Sequence, residues 1–230
     1  MKKTLLIISL VACFAIGGNA QSKDVRYGLK LGPSFDWAGA GSVVTQNKGM
    51  KMGFNLGFVY DRYYFNHIAV STGVNVNFLR LKYQFRDSRR VENFLEEVQV
   101  DVSRRLKATN IEVPLKVKLN LDVVDSFKAY VEAGGALSFN VKDAGKDEYE
   151  FYAVSYADPS YSDCSDQYRL LQGSLVFGVG AEYEINRNLS AFVQLTFDHA
   201  LSNAFNKDLV NATGSIIRNN FIGVEVGVMH

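Results

Sequence analysis

His199 follows Asp198 directly, and Ser202 stands three residues further on, so a hydroxyl, an imidazole and a carboxylate crowd into five positions. Those are the residue types of a nucleophile, its general base and an orienting acid, the set used in acyl transfer. Closeness in sequence does not make a triad, because the base has to reach both partners in space. His67 lies next to a short turn, at the wrong end of its strand for that chemistry. The expectation from these positions is a protein without catalytic residues.

Charge is the second candidate chemistry. Arg26, Lys30, Lys51, Lys116, Lys118 and Lys128 share the polar side of alternating segments with Asp36, Glu112, Glu132, Glu182, Glu184, Asp198 and Glu225. Drawn onto one enclosed axis, such groups would have to pair, since an unpaired buried charge is costly. Glu112, Glu132 and Glu182 are expected to pair with the lysines of that face.

A third group is aromatic and acidic. Tyr149, Tyr152, Tyr156 and Tyr161 stand among Asp147, Glu148, Glu150, Asp158 and Asp163, a mixture suited to sugars, cations or a protein partner. The plainer alternative is that Glu148 to Tyr156 only extends neighbouring strands. No Asp-x-Asp-x-Asp-Gly loop occurs, which leaves calcium unsupported. Past the first twenty residues Cys164 is the only cysteine, so one chain can build neither a disulfide nor a cysteine metal site, and no cofactor is expected.

The elements that would position these residues are strands. From Phe127 to Val141, Phe127, Ala129, Val131, Ala133, Leu137, Phe139 and Val141 alternate with Lys128, Tyr130, Glu132, Ser138 and Asn140. Period two marks a strand. Ile111, Val113, Leu115, Val117 and Leu119 alternate in the same way with Glu112, Lys116 and Lys118. Six more segments repeat the pattern, beginning near Val25, Lys51, His67, Leu171, Leu189 and Ile222, which makes eight strands.

Connections alternate in length. Long polar ones, roughly residues 38–50, 86–106, 143–167 and 202–215, follow odd strands, and short ones near Arg62 to Asn66, Asp122 to Ser126 and Asn186 to Asn188 follow even strands. In the second long connection Val91, Phe94, Leu95, Val98 and Val102 recur at helical spacing, which fits a short amphipathic helix; a hairpin fits equally.

The chain opens with Lys2 and Lys3, an apolar run from Leu5 to Ile16, and small residues up to Ala20. That is the pattern of a secretory signal peptide over residues 1–20, leaving 21–230 as one domain. Leu10-Val11-Ala12-Cys13 offers a competing lipidation box, ranked second because the apolar run continues past Cys13. Removing residues 1–20 moves the formal charge from +1 to about −1, and nothing points to nucleic acid. No later stretch approaches the roughly 20 apolar residues of a membrane helix, so membrane insertion would have to use strands.

Alternation alone does not say which face looks outward, because a soluble barrel keeps its apolar face inside. Three features favour lipid outside. The polar face is rich in Gly, Asn, Lys and Glu, suiting a narrow lumen. Aromatics such as Phe35, Trp37, Tyr60, Tyr63 and Tyr64 gather near strand ends. Long and short connections fall at opposite ends, as in outer-membrane barrels. The expected fold is all-β, an eight-stranded antiparallel up-and-down transmembrane barrel, with both termini in the periplasm.

Asn110-Ile111-Glu112-Val113-Pro114-Leu115-Lys116, then Tyr130-Val131-Glu132-Ala133-Gly134-Gly135, then Gly178-Val179-Gly180-Ala181-Glu182-Tyr183 and finally Gly223-Val224-Glu225-Val226-Gly227 resemble the outer-membrane β-barrel family that includes PorT. The resemblance covers essentially the whole mature chain. It implies residence in the outer membrane, contact with its lipid, help from the barrel-assembly machinery, and envelope or secretion proteins as partners. The C-terminus departs from the pattern, ending Val228-Met229-His230 where many such barrels end in an aromatic residue. The expectation is thus a non-enzymatic scaffold whose outer loops bind partners. A small diffusion pore and a soluble periplasmic lipid-binding barrel are the alternatives.

Overall fold

The computed structural model describes residues 25–40, 45–90, 97–124, 126–151, 154–158, 160–206 and 216–230. The expected signal peptide and Cys13 lie outside them, as do Val91, Phe94, Leu95 and Tyr152.

Eight long strands carry the fold: β1 (Val25–Ala40), β2 (Lys51–Phe65), β3 (Ile68–Arg90), β4 (Glu97–Val124), β5 (Phe127–Phe151), β6 (Leu171–Asn186), β7 (Leu189–Ala200) and β8 (Ile217–Met229). Each pairs antiparallel with its neighbours in sequence, and β8 closes the circle on β1 through pairs such as Leu29 with Val228 and Phe35 with Ile222. Closure leaves these strands no open edge in the membrane, the condition for crossing lipid.

The alternating pattern sorts as expected. Leu29, Leu31, Phe54, Leu56, Phe58, Leu115, Val117, Val131, Phe177, Val179, Val193, Leu195, Val224 and Val226 point outward and are exposed. Lys30, Asn55, Asp61, Lys116, Lys118, Glu132, Glu182, Gln194 and Glu225 point inward and are buried. An apolar band around a whole barrel far exceeds the few hundred Å² a soluble monomer exposes, so its solvent is lipid. The inward apolar face required of a soluble lipid-binding barrel is therefore the wrong way round.

Lumen glycines make room for larger neighbours. A Cβ on Gly178 would meet Glu132 Cγ at 2.5 Å, and one on Gly180 would run into the Tyr130 ring.

The strands do not stop where the apolar band ends. Along β3 the inward residues run from Ser71, Asn75 and Asn77 to Leu79, Leu81, Tyr83 and Phe85, while the outward ones change from Val74, Val76 and Phe78 to Arg80, Lys82, Gln84 and Arg86. β4 inverts at the same level: Lys116, Glu112 and Asn110 give way inside to Ala108, Leu106, Val102 and Val100, and Leu115, Val113 and Ile111 outside to Lys107, Arg105 and Ser103. The inversion marks the exit from lipid into water, where the favourable arrangement of the two faces reverses. On β5 a bulge falls at this level. Thr109 faces Lys142 but Asn110 faces Asn140, so Val141 is an extra residue and both Val141 and Lys142 turn outward.

The described parts of the second and third long connections are therefore largely sheet, which corrects the expectation of polar loops over 86–106 and 143–167 and agrees with the two alternatives, a hairpin in the second and strand extension over Glu148 to Tyr156 in the third. The helical spacing from Val91 to Val102 is not used as a helix where it is described: β4 pairs with β3 from Glu97 onward, with Val98 opposite Arg89 and Val102 opposite Phe85. The inward faces of this β head pack with Tyr168 and Phe205 from the third and fourth connections, both buried. Phe205 lies against Tyr83, Phe85 and Tyr168, with ring centroids 5.9, 5.9 and 5.4 Å away, and plugs the barrel at its loop end.

Candidate functional site

Lumen charges pair in tiers, starting from the end with the short turns. Lys128 and Glu184 meet at 2.5 Å in the mouth, each about one third exposed. Arg26 pairs with Glu182 and donates to Ser190 at 2.7 Å. Lys118 reaches Asp61 at 2.8 Å and Glu182 at 3.9 Å, with its ammonium 4.2 Å from the Tyr130 ring centre. Lys116 pairs with Glu132, and Lys30 with Glu225 at 2.9 Å. Gln194 ties the last two acids together, donating to Glu132 at 2.8 Å and to Glu225 at 3.3 Å while accepting from the Tyr130 hydroxyl at 2.9 Å.

Above these pairs the lumen becomes an amide layer. Asn75 and Asn77 donate to the two carboxylate oxygens of Glu112 at 2.8 and 2.9 Å. Glu112, expected to meet a lysine, is thus held by amides: Lys30, further along the same row on β1, pairs with Glu225 instead. Asp36 accepts from Ser34 at 2.6 Å and from the Arg80 backbone at 2.7 Å, and Asp198 from Ser174 at 2.8 Å. Lys51, also expected in the lumen, is exposed. It shares the inward parity of Gly53 and Asn55 but is the first residue of β2, which pairs with β3 only from Phe54 onward.

Little space remains. The cavity among Lys30, Lys116, Lys118, Tyr130, Glu132 and Phe192 is about 10 Å³, room for about one water. Tyr130, Phe192 and Met229 form a small apolar cluster across the lumen toward the turn end.

Outside the membrane, the head is held by a buried arginine. Arg104 on β4 grips Asp147 on β5 with Nε and Nη2 at 2.5 and 2.7 Å, donates through Nη1 to Gln167 at 2.5 Å, and lies 4.9 Å over the Phe85 ring. Burial works against its charge, but the hydrogen bonds to Asp147 prevail and raise its pKa. The Tyr83 and Tyr168 hydroxyls meet beside it. Burial also pushes the Cys164 thiol up to about 11, which keeps it protonated and unreactive at neutral pH.

The aromatic candidates are divided. Tyr149 stacks on Tyr156, with centroids 5.1 Å apart and planes 12° apart. Both border an open groove of about 480 Å³, together with Gln84, Asp101, Ser103, Glu148 and Ala157. Tyr161 stands apart, its ring 4.0 Å from Lys107 Nζ. The sequence pattern does not assemble this groove: Asp101 lies in the 86–106 connection and Gln84 beyond the end of the strand expected to stop near Phe78. The signal was present: the alternation of β3 continues past Phe78 with its phases exchanged. Asp61, absent from the expected lumen charges, is buried there and extends the inward series Gly53, Asn55 and Gly57.

The hydroxyl, imidazole and carboxylate near residue 199 do not converge. Asp198 faces the lumen and takes Ser174, His199 stacks against Phe197 at 6.3 Å, and Ser202 accepts from the Gly173 backbone at 3.0 Å.

An eight-stranded antiparallel barrel with an apolar exterior and a lumen filled by ion pairs is a transmembrane β-barrel of the outer-membrane type. The chain belongs to the family described as outer membrane protein beta-barrel domain, which matches residues 19–206. No curated protein matches it. Among solved structures it is similar to Neisserial surface protein A (12% identity, 88% of this chain and 96% of that one, TM-score 0.43). It is also similar to a major outer membrane protein from Thermus thermophilus (13% identity, 90% and 98%, TM-score 0.44). OprG from Pseudomonas aeruginosa is a third (10% identity, 90% and 95%, TM-score 0.39).

Proposed function

We propose that this outer-membrane protein is a closed, non-enzymatic scaffold that presents its β head outside the cell as a binding platform. The supporting observation is the filled lumen, with ion pairs through the middle and Phe205 and its neighbours across the loop end. Eight strands enclose an interior just wide enough for side chains, so a plugged barrel has little to offer as a diffusion pore. In this reading the short turns and both termini lie in the periplasm and the four long connections face outward. The partner surface is the groove beside stacked Tyr149 and Tyr156, walled by Asp101 and Glu148. Envelope or secretion proteins are the partner class, by resemblance to the family that includes PorT.

Two measurements test the reading. In planar bilayers the purified barrel should give no steady single-channel conductance, and regular ion steps would return the pore to first place. A photo-crosslinker replacing Gln84 should capture an envelope protein in intact cells and lose it when Tyr156→Ala is added. Capture unaffected by Tyr156→Ala would remove the groove from the proposal.

A further inference from the structure

Directly above the apolar band, the outer face of β3, β4 and β5 carries Arg80, Lys82, Arg105, Lys107, Lys142 and Lys146. The register sets like charges opposite one another: Arg80 faces Lys107, Lys82 faces Arg105, and Arg105 faces Lys146. Directly opposed side chains on one face of an antiparallel pair stand about 5 Å apart, and like charges there destabilise the sheet. Of the six, Arg105 alone enters a described ion pair, with Glu148 at 3.0 Å. The turn end has no comparable excess, mixing Arg62 and Arg187 with Asp122 and Glu184. Three repulsive pairs held on three adjacent strands, in two successive outward rows on one side of the barrel, call for an anion to bridge them.

We propose that this belt is a binding site for the phosphorylated headgroup of an outer-leaflet lipid. Its height selects the ligand. The belt begins one outward position past Phe78 and Val141, where the exterior changes from apolar to charged and where headgroups of the contacting leaflet lie. Long basic side chains at that level extend along the barrel wall and put their charges among the phosphates. A lipid with several acyl chains meets both halves of the surface: Phe78, Ile111 and Phe139 against hydrocarbon, Arg80, Lys107 and Lys142 against phosphate. Lys107 is already steered by Tyr161, whose ring lies 4.0 Å from its ammonium. The assignment to the outer leaflet rests on the orientation proposed above, with the long connections outside.

The test uses the full mature chain in micelles containing diphosphoryl lipid A, with retained lipid counted by native mass spectrometry. The wild type should retain lipid A over phosphatidylcholine and over dephosphorylated lipid A. The combined variant R80Q, K82Q, K107Q and K142Q should keep its heat-modifiable migration, the sign of a folded barrel. It should lose retention roughly a hundredfold or more, at about fivefold per removed charge near an anionic surface. Equal retention by this variant, or of the dephosphorylated lipid, overturns the site. Displacement by excess inorganic phosphate overturns the lipid as its ligand. Orientation is read separately from Gln46→Cys in a Cys164→Ser background, using an impermeant maleimide on intact cells. Retention without labelling overturns the outer leaflet as the source, and labelling without retention overturns the belt alone.

Discussion

Lys116 on β4 and Glu132 on β5 form an ion pair inside the barrel, both side chains at most 5% exposed, with Gln194 from β7 donating to the same carboxylate at 2.8 Å. One buried contact thus links three strands across the lumen, and the Glu132 side chain also fills the space left by Gly178.

Removing one partner should be costly. Glu132→Gln leaves a lysine ammonium buried without its counter-charge, and about 3–5 kcal/mol of stability should be lost. Lys116→Met combined with Glu132→Met should cost clearly less than the two single changes added together. Urea unfolding in lipid vesicles, followed by heat-modifiable migration, measures both. Additive losses would mean the pair is not coupled.

Gly178→Ala puts a methyl group 2.5 Å from Glu132 Cγ, and Lys116 and Gln194 hold that side chain in place. We expect a loss of about 1–3 kcal/mol in the wild type. The added cost should be much smaller in a Glu132→Ala background, where nothing meets the methyl. A double-mutant cycle reads the difference, and an unchanged cost would place the clash elsewhere.

Asp143 lies above the bulge, outside the membrane-spanning part of β5. Burial, with nearby Asp163, pushes its carboxyl up to about 7, although Asn140 donates to it. Its folded pKa is higher than that of the unfolded chain, so between about pH 4 and 7 the folded head binds more protons and is destabilised as pH rises. Limited proteolysis of the loop-end head should therefore be slowest near pH 4 and quicken toward pH 7. Asp143→Asn should flatten that dependence. A steeper dependence in Asp143→Asn would show that another group carries it.

Phe205→Ala should empty the centre of the head. A buried phenylalanine cut to alanine costs about 3–5 kcal/mol, and here the loss falls on packing with Tyr83, Phe85 and Tyr168. Cleavage in the connections should become faster while the heat-modifiability of the membrane part stays near wild type. Joint loss of both would mean that head and barrel unfold as one unit.

Much of the barrel was legible along the chain. Val131 and Glu132 differ in face because successive side chains of a strand oppose each other, a property of a few neighbouring residues. The same local rule failed above Phe78. There Leu79 and Leu81 occupy the parity that Asn75 and Asn77 hold below, and reading one fixed phase made the stretch look like loop. In the candidate site, Tyr149 and Tyr156 were picked out by type, but Gln84 and Asp101, which share their groove, come from strands that the reading ended too early.

The order of residues by itself determined eight two-faced strands, their succession, and a charged side opposed to an apolar one, because period two and connection length are local quantities. Only the tertiary structure decided which charge meets which, and where the wall leaves the lipid. Lys30 and Glu225 are 195 residues apart, and Lys118 and Asp61 are 57 apart. Such partners are selected by strand register and by the stagger of the closed barrel. A one-residue slip would exchange every inward side chain for an outward one, so the pairs exist only once the circle has closed.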